Sequence, residues 1–314
     1  MDLKYLIHSN KYHWDGQIIN LKVNMYKEIN APNDRTISFA DFGEDNGIPA
    51  FYCHGGPGSR NSVKGNFDKD KDNLIRFIGV DRPGYGNTSP LPGRTINDWT
   101  DDLLLIADDL SIEKFYMIGV STGGSYSLAT AARFPDRVQG VLVCCGMSDM
   151  RWASSNANMP GVEQYVGLSR EKAYKLAVKD MGEDGSKMLS SDDSNEESSL
   201  SSPDLDYLQK PENIERFIDD ATFAQGVTGY ADDRLADCSA QGWSSFEINN
   251  VICPVNIIHG EVDTIVPVAH ARHTADIVND SDLKIYPDHG HLSISDEING
   301  NLYDLIERSN RSVI

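Results

Sequence analysis

Short apolar runs that alternate with helical patterns constrain the fold of this chain more than any other feature. The clearest runs are residues 49–53, 76–80, 115–120 and 138–145, and each is followed by a glycine-rich or polar loop. Strands that are apolar along their whole length are typical of a parallel sheet with both faces covered. The sequence therefore predicts an α/β fold, with a mostly parallel central sheet flanked by helices.

This rhythm stops near Met147 and returns with the apolar run at residues 251–258. We therefore expect residues 1–147 and 246–314 to form one α/β core. Residues 148–245 are expected to form an inserted helical cap, or lid, above the sheet.

Inside the predicted cap, helical patterns at residues 170–181 and 213–223 are the only regular signals, and no strand-like run stands out. Residues 189–203 are rich in serine, aspartate and glutamate. Such a composition cannot bury much apolar surface, and it predicts a solvated, mobile loop.

Charge and composition exclude several classes of function. The formal net charge of −20 opposes binding to nucleic acid. No stretch approaches the roughly 20 apolar residues of a membrane-spanning helix, and the first ten residues lack the apolar run of a signal peptide. The five cysteines show no metal-binding spacing and read as reduced, mostly buried thiols. We therefore expect a cytoplasmic protein without a membrane span, a bound metal or an organic cofactor.

The strongest chemical signal is Gly119-Val-Ser-Thr-Gly123, which directly follows a short apolar run and precedes an alanine-rich helical pattern. Glycines at both ends permit a tight turn between strand and helix. Such a turn pushes the Ser121 hydroxyl out above the sheet, as a nucleophile requires.

A serine hydroxyl needs a base, and the base needs an acid that orients it. His291 follows a strand predicted at residues 282–286 and is the expected base, with His289 as the alternative. Asp263 follows the preceding strand and is the expected acid, and the fallbacks are Glu261 and Asp149.

The developing oxyanion needs two donors. The backbone N–H of Thr122, directly after the nucleophile, is one candidate. Gly56 in the loop His54-Gly-Gly-Pro-Gly58 is the other, because Pro57 has no N–H and glycine permits close approach to a substrate.

Together, the motifs around Gly56, Asp81, Ser121, Asp263 and His291 resemble those of the α/β-hydrolase superfamily. The resemblance implies an α/β-hydrolase fold from about residue 35 to the end, interrupted by a helical cap. The His-Gly-Gly-Pro-Gly loop is similar to that of the proline iminopeptidase-like branch. Those peptidases usually carry Gly-Gly-Ser-Trp-Gly at the nucleophile, and the difference at Thr122 argues against cleavage of amino-terminal proline.

The sequence thus predicts a serine hydrolase that cleaves a carboxylic ester of a small molecule through an acyl-enzyme. An aminopeptidase or amidase acting on a small-molecule amide is the alternative within catalysis. A catalytically silent small-molecule receptor on the same fold is the alternative outside it. In the predicted cap, Tyr230, Asp232 and Asp233 are weaker candidates for binding a substrate amine.

Overall fold

We describe a computed structural model of the chain. It describes residues 24–66, 74–157, 159–185, 187, 200–217, 219, 221–239 and 241–311. Of the predicted acidic loop, residues 189–199 lie outside the described part, as do the first ten residues. Both predictions about these segments therefore stay predictions.

The strands in the described residues are short and lie almost entirely in the predicted core. They are β1 (Asn24–Ala31), β2 (Arg35–Phe42), β3 (Ile48–Cys53), β4 (Ile75–Val80), β5 (Phe115–Val120), β6 (Val138–Cys144), β7 (Ala224–Val227), β8 (Val255–Gly260) and β9 (Ser281–Tyr286).

The helices fall into two groups, those that alternate with or follow the sheet strands of the core and those of the segment between β6 and β8. The first group is α1 (Trp99–Asp109), α2 (Gly123–Arg133), α9 (Ala269–Ile277) and α10 (Ile298–Arg311). The second group is α3 (Met150–Asn156), α4 (Pro160–Glu163), α5 (Arg170–Met181), α6 (Ser202–Tyr207), α7 (Pro211–Phe217) and α8 (Thr228–Cys238).

Eight strands form one sheet in the order β1-β2-β4-β3-β5-β6-β8-β9. The pairs β1–β2 and β2–β4 are antiparallel, and every later pair in this order is parallel. The predicted α/β-hydrolase fold, with a mostly parallel sheet, is confirmed. Because β3, β5, β8 and β9 are parallel, the loops that follow them meet at one edge of the sheet.

Both faces of the sheet are covered, as fully apolar strands require. On one face, Phe51 and Met117 pack in a buried cluster with Trp99 and Leu103 of α1. On the other face, Tyr116 and other strand residues cluster with residues of α10. This arrangement leaves the carboxyl ends of the strands free to carry chemistry.

The segment between β6 and β8 contains more regular structure than the two helical patterns predicted, since α3, α4, α6 and α8 have no predicted counterpart. The helix predicted at residues 213–223 is α7, which ends at Phe217. The short strand β7 follows it, where no strand was predicted. Ala224–Val227 has only four residues, and Gln225 and Gly226 in its middle leave no apolar periodicity that could predict a strand.

Helices of this segment have a buried cluster of their own. Met150, Ala153, Tyr165 and Ala173 pack there with Tyr85, which belongs to the loop after β4. In the described part of the chain, no helix is both long and apolar enough to cross a membrane.

Candidate active site

Ser121 sits at the sharp turn between β5 and α2. Its φ is 53°, a left-handed conformation that non-glycine residues rarely adopt. The turn is held because Ser121 N–H donates to Cys144 O at 2.9 Å and Gly124 N–H donates to Ser121 O at 3.0 Å. A Cβ at Gly123 would lie 2.1 Å from Cys53 O, so only glycine fits there. The predicted strand–turn–helix geometry is therefore present at Ser121.

Three side chains from separate loops form a continuous hydrogen-bonded line. His291 Nε2 lies 3.2 Å from Ser121 Oγ, and His291 Nδ1 lies 2.7 Å from Asp263 Oδ2. The other carboxylate oxygen, Asp263 Oδ1, accepts hydrogen bonds from the N–H groups of Ile265 and Val266, both at 2.8 Å. The structure thus brings the predicted nucleophile, base and acid together in the expected order.

The electrostatics of this line favour a charged imidazole beside a charged carboxylate. Burial alone would lower the pKa of His291, but attraction to Asp263 outweighs it and raises that pKa well above its ordinary value. Burial alone would raise the pKa of Asp263, whereas His291 and His259 hold it well below its ordinary value. The pair can therefore stabilise the imidazolium that forms when a base accepts a proton.

His259 is a neighbour of Asp263 that sequence analysis missed. It is the penultimate residue of β8 and is fully buried. Its Nε2 lies 2.8 Å from Val266 O, and the same atom lies 3.2 Å from Asp263 Oδ2. The sequence shows that His259 directly precedes the loop that carries Asp263. No local sequence pattern predicts that its side chain points toward Asp263.

The alternative acids and the alternative base lie elsewhere. Asp149 caps the start of α3 and pairs with Arg151 at 2.7 Å. Glu261 is about half exposed and lies 3.7 Å from Arg272. His289 Nε2 lies 3.7 Å from Glu297 Oε1.

The loop after β3 lies against the nucleophile turn. A Cβ at Gly55 would be 3.5 Å from Ser121 Cβ, and one at Gly56 would be 3.0 Å from Thr122 Oγ1. The two residues predicted to donate to an oxyanion, Gly56 and Thr122, are therefore adjacent to each other and to Ser121.

A buried network of ion pairs and hydrogen bonds holds the loop that follows β3. Arg82 donates to the carbonyl oxygens of His54 and Gly55, and it pairs with Asp233 of α8 at 2.8 Å. Arg94 also donates to Asp233, and all these charged side chains are fully buried. Burial alone would raise the pKa of Asp233, but Arg82 and Arg94 hold it well below its ordinary value. The Asp233 carboxylate is thus paired with two buried arginines, which argues against Asp233 as a candidate for binding an amine.

We expect Asp233→Ala to lower the free energy of unfolding by about 3–5 kcal/mol, because two arginines would stay buried without their carboxylate. The neighbouring Asp232 pairs with Arg170, whose side chain is 46% exposed, so Asp232→Ala should cost far less. Urea unfolding of both variants measures the difference. Equal losses would contradict this assignment.

Arg234, one residue further along α8, reaches the nucleophile turn. Its Nη2 donates to Thr122 Oγ1 and pairs with Asp237 Oδ2 at 2.7 Å. Burial raises the pKa of Asp237 to about 6 despite the attraction of Arg234. This contact joins residues 112 positions apart in the chain, and sequence analysis did not identify it.

Two tryptophans of the segment between β6 and β8, and one histidine of α9, have packing or hydrogen-bonding partners. Trp152 stacks on His273 at 3.8 Å between ring centroids, and Trp243 Nε1 donates to Ser125 Oγ at 2.9 Å. His273 Nδ1 lies 2.6 Å from Ser148 Oγ. Within the described ranges, no group of three or more histidine, cysteine, aspartate or glutamate side chains is arranged to hold a metal ion. All five cysteines are buried and free.

The chain is similar in sequence to known proteins of the α/β hydrolase fold. A family model described as "alpha/beta hydrolase fold" matches residues 51–298. A proline iminopeptidase of Neisseria gonorrhoeae is 30% identical over 125 residues, which cover 37% of this chain and only 39% of that protein. A non-heme haloperoxidase of Rhodococcus erythropolis is 24% identical over 293 residues, covering 89% of this chain and 98% of that protein.

Among solved structures, a thermophilic esterase from Thermogutta terrifontis superposes with a TM-score of 0.68 at 21% identity. The match covers 91% of this chain and 99% of the esterase. At this identity the likeness concerns the fold.

Proposed function

The chain belongs to the α/β hydrolase fold family, and on that premise we propose that it is a serine hydrolase that cleaves a carboxylic ester of a small molecule. One observation carries the proposal. The line from Ser121 through His291 to Asp263 has distances of 3.2 Å and 2.7 Å, which are those of a nucleophile, its base and the orienting acid.

The proposed reaction is a two-step acyl transfer. His291 takes the proton of Ser121 Oγ as that oxygen attacks the ester carbonyl carbon. The resulting imidazolium, held by Asp263, then gives the proton to the leaving alcohol as the carbon–oxygen bond breaks. Water, deprotonated by the same imidazole, hydrolyses the acyl-enzyme and restores Ser121.

Charge that develops on the carbonyl oxygen would be stabilised by the backbone N–H groups of Gly56 and Thr122. Their adjacency beside Ser121 supports this assignment. Each such donor typically contributes about 3–4 kcal/mol to transition-state stabilisation. Arg82 would contribute indirectly, because it holds the carbonyl oxygens of the loop that carries Gly56.

We further propose that residues 148–245 act as a lid on the core formed by residues 1–147 and 246–314. Ser121 is only 8% exposed and His291 only 7%. Arg234 from this segment contacts Thr122 directly. A lid of this kind excludes water and selects the acyl or alcohol group that enters.

An aminopeptidase or amidase is the second candidate, because one relative with 30% identity is named a proline iminopeptidase. The same base, acid and oxyanion donors could serve an amide. Against it stands the pairing of Asp232 and Asp233 with arginines, since neither carboxylate is free for an amino-terminal amine.

Turnover of a substrate panel tests the proposal. The panel contains p-nitrophenyl esters of graded acyl length together with proline and alanine arylamides, and Ser121→Ala is the matched control. We expect ester hydrolysis that the control lacks. An amide preference of tenfold or more in kcat/KM would instead favour the peptidase.

The pH dependence of kcat/KM follows from the raised pKa of His291. A general base must be neutral, so activity should fall as the pH drops through the pKa of the free enzyme's imidazole. Since Asp263 raises that pKa, the midpoint of the acidic limb should lie above the ordinary value of 6.5. A midpoint below 6.5 in the wild-type protein would contradict a His291 pKa raised by Asp263.

A further inference from the structure

Asp204 of α6 makes an unusual set of contacts with the loop that carries His291. Its two carboxylate oxygens accept hydrogen bonds from three successive backbone N–H groups, those of His291 at 2.8 Å, Leu292 at 2.9 Å and Ser293 at 2.9 Å. The hydroxyls of Ser201 and Ser293 also donate to it, both at 3.0 Å. Asp204 is fully buried, so its carboxylate depends on these five donors.

The contact is close enough to restrict the sequence of the loop. A Cβ at Gly290 would lie 2.0 Å from Ser201 Oγ and 2.3 Å from Asp204 Oδ2. Any side chain at position 290 would therefore push the start of α6 away. The glycine just before the proposed base is explained by this approach.

These contacts give His291 two independent anchors. Asp263 holds the imidazole ring through Nδ1, while Asp204 holds the backbone N–H of the same residue. A ring anchored only at Nδ1 could still swing with its backbone, and Nε2 would then leave Ser121 Oγ. With both contacts in place, rotation of the imidazole ring and movement of the His291 backbone are both restrained.

We propose that Asp204 is a positioning residue for His291, so that the segment between β6 and β8 completes the catalytic geometry as well as covering it. The inference rests on the proposed serine hydrolase function. It makes the helix α6, outside the predicted core, part of the machinery that sets the Ser121–His291 distance.

The test compares Asp204→Ala and Asp204→Asn with Asp206→Asn, a control on the same helix whose carboxylate contacts the exposed Gln209. Rates are expressed per active site titrated with a fluorophosphonate, which removes the effect of unfolded protein. We expect Asp204→Ala to lower kcat for p-nitrophenyl esters by about 10- to 100-fold with little change in KM, because small misplacement of a base is costly. Asp204→Asn retains one acceptor oxygen and should recover part of the loss. Asp206→Asn should match the wild type.

Gly290→Ala disturbs the same contact from the other side, and we expect it to lower kcat in the same way. Proton NMR of the His291 Nδ1–H provides a readout that needs no substrate. The resonance should shift or broaden in the Asp204 and Gly290 variants and stay in place in Asp206→Asn.

The two proposals fail in different ways. A wild-type protein that neither hydrolyses esters nor reacts with the fluorophosphonate contradicts the proposed function, while the NMR comparison still decides the role of Asp204. An Asp204→Ala protein with wild-type kcat per site, or with an unchanged Nδ1–H resonance, overturns the positioning role.

Discussion

Ser121→Ala is expected to lower kcat for ester hydrolysis by about 10⁴-fold or more, because the proposed acyl-enzyme forms on the Ser121 hydroxyl, which alanine lacks. The alanine keeps the Cβ and so fits the same strained turn, at a φ of 53°. Binding of a substrate analogue should therefore change little. Steady-state kinetics and an equilibrium binding measurement on the same preparation separate the two effects.

Ser154→Ala is the matched control for this substitution. Ser154 lies exposed on α3, and its hydroxyl donates only to the nearby Arg151 O. The Ser154→Ala variant should retain wild-type activity. Ester turnover by Ser121→Ala within tenfold of the wild type would show that another residue is the nucleophile.

Asp263→Asn is expected to lower kcat by about 10⁴-fold, a second large effect with a different cause. Asp263 accepts from His291 Nδ1 and from two backbone N–H groups, so an amide NH₂ at this position must face at least one donor. If it faces the imidazole, Nδ1 becomes the acceptor and the proton moves to Nε2. The ring then cannot take the proton of Ser121.

The pH profile of Asp263→Asn provides a second signature. Where the amide oxygen of the variant faces Nδ1–H, the ring can still act as a base. Without the carboxylate, burial lowers the pKa of His291, so this residual activity should persist to lower pH than in the wild type. The controls are Asp149→Asn and Glu261→Gln, which test the two alternative acids. Loss of activity in either control, with Asp263→Asn unaffected, would reassign the acid.

Local sequence patterns were sufficient to predict the sheet and the approximate place of each proposed catalytic residue. The predicted strand at residues 115–120 is β5, and the turn that carries Ser121 follows it directly. Glycine spacing, apolar strand runs and the helical pattern are short-range signals, because each depends only on a few neighbouring residues. The roles of Ser121, His291 and Asp263 themselves stay predictions until they are measured.

Contacts between distant segments could not be predicted in the same way. Asp204 and His291 are 87 residues apart, and Arg234 and Thr122 are 112 apart. The sequence around one residue of each pair contains no pattern that predicts its contact with the other. Residues 35–42 alternate polar and apolar side chains, a local pattern typical of the strand that they form, β2. Its antiparallel partner β1 was not predicted, because polar residues interrupt the apolar ones in Asn24–Ala31. Tertiary packing decides such positions.

Fluorophosphonate labelling followed by peptide mass spectrometry tests the central claim most directly. The claim is that the imidazole of His291 activates the hydroxyl of Ser121. At neutral pH we expect one adduct per chain, on the peptide that contains Ser121, formed far more slowly in His291→Ala and absent from Ser121→Ala. A folded wild-type protein that stays unmodified, or that carries the adduct on another residue, would contradict the account.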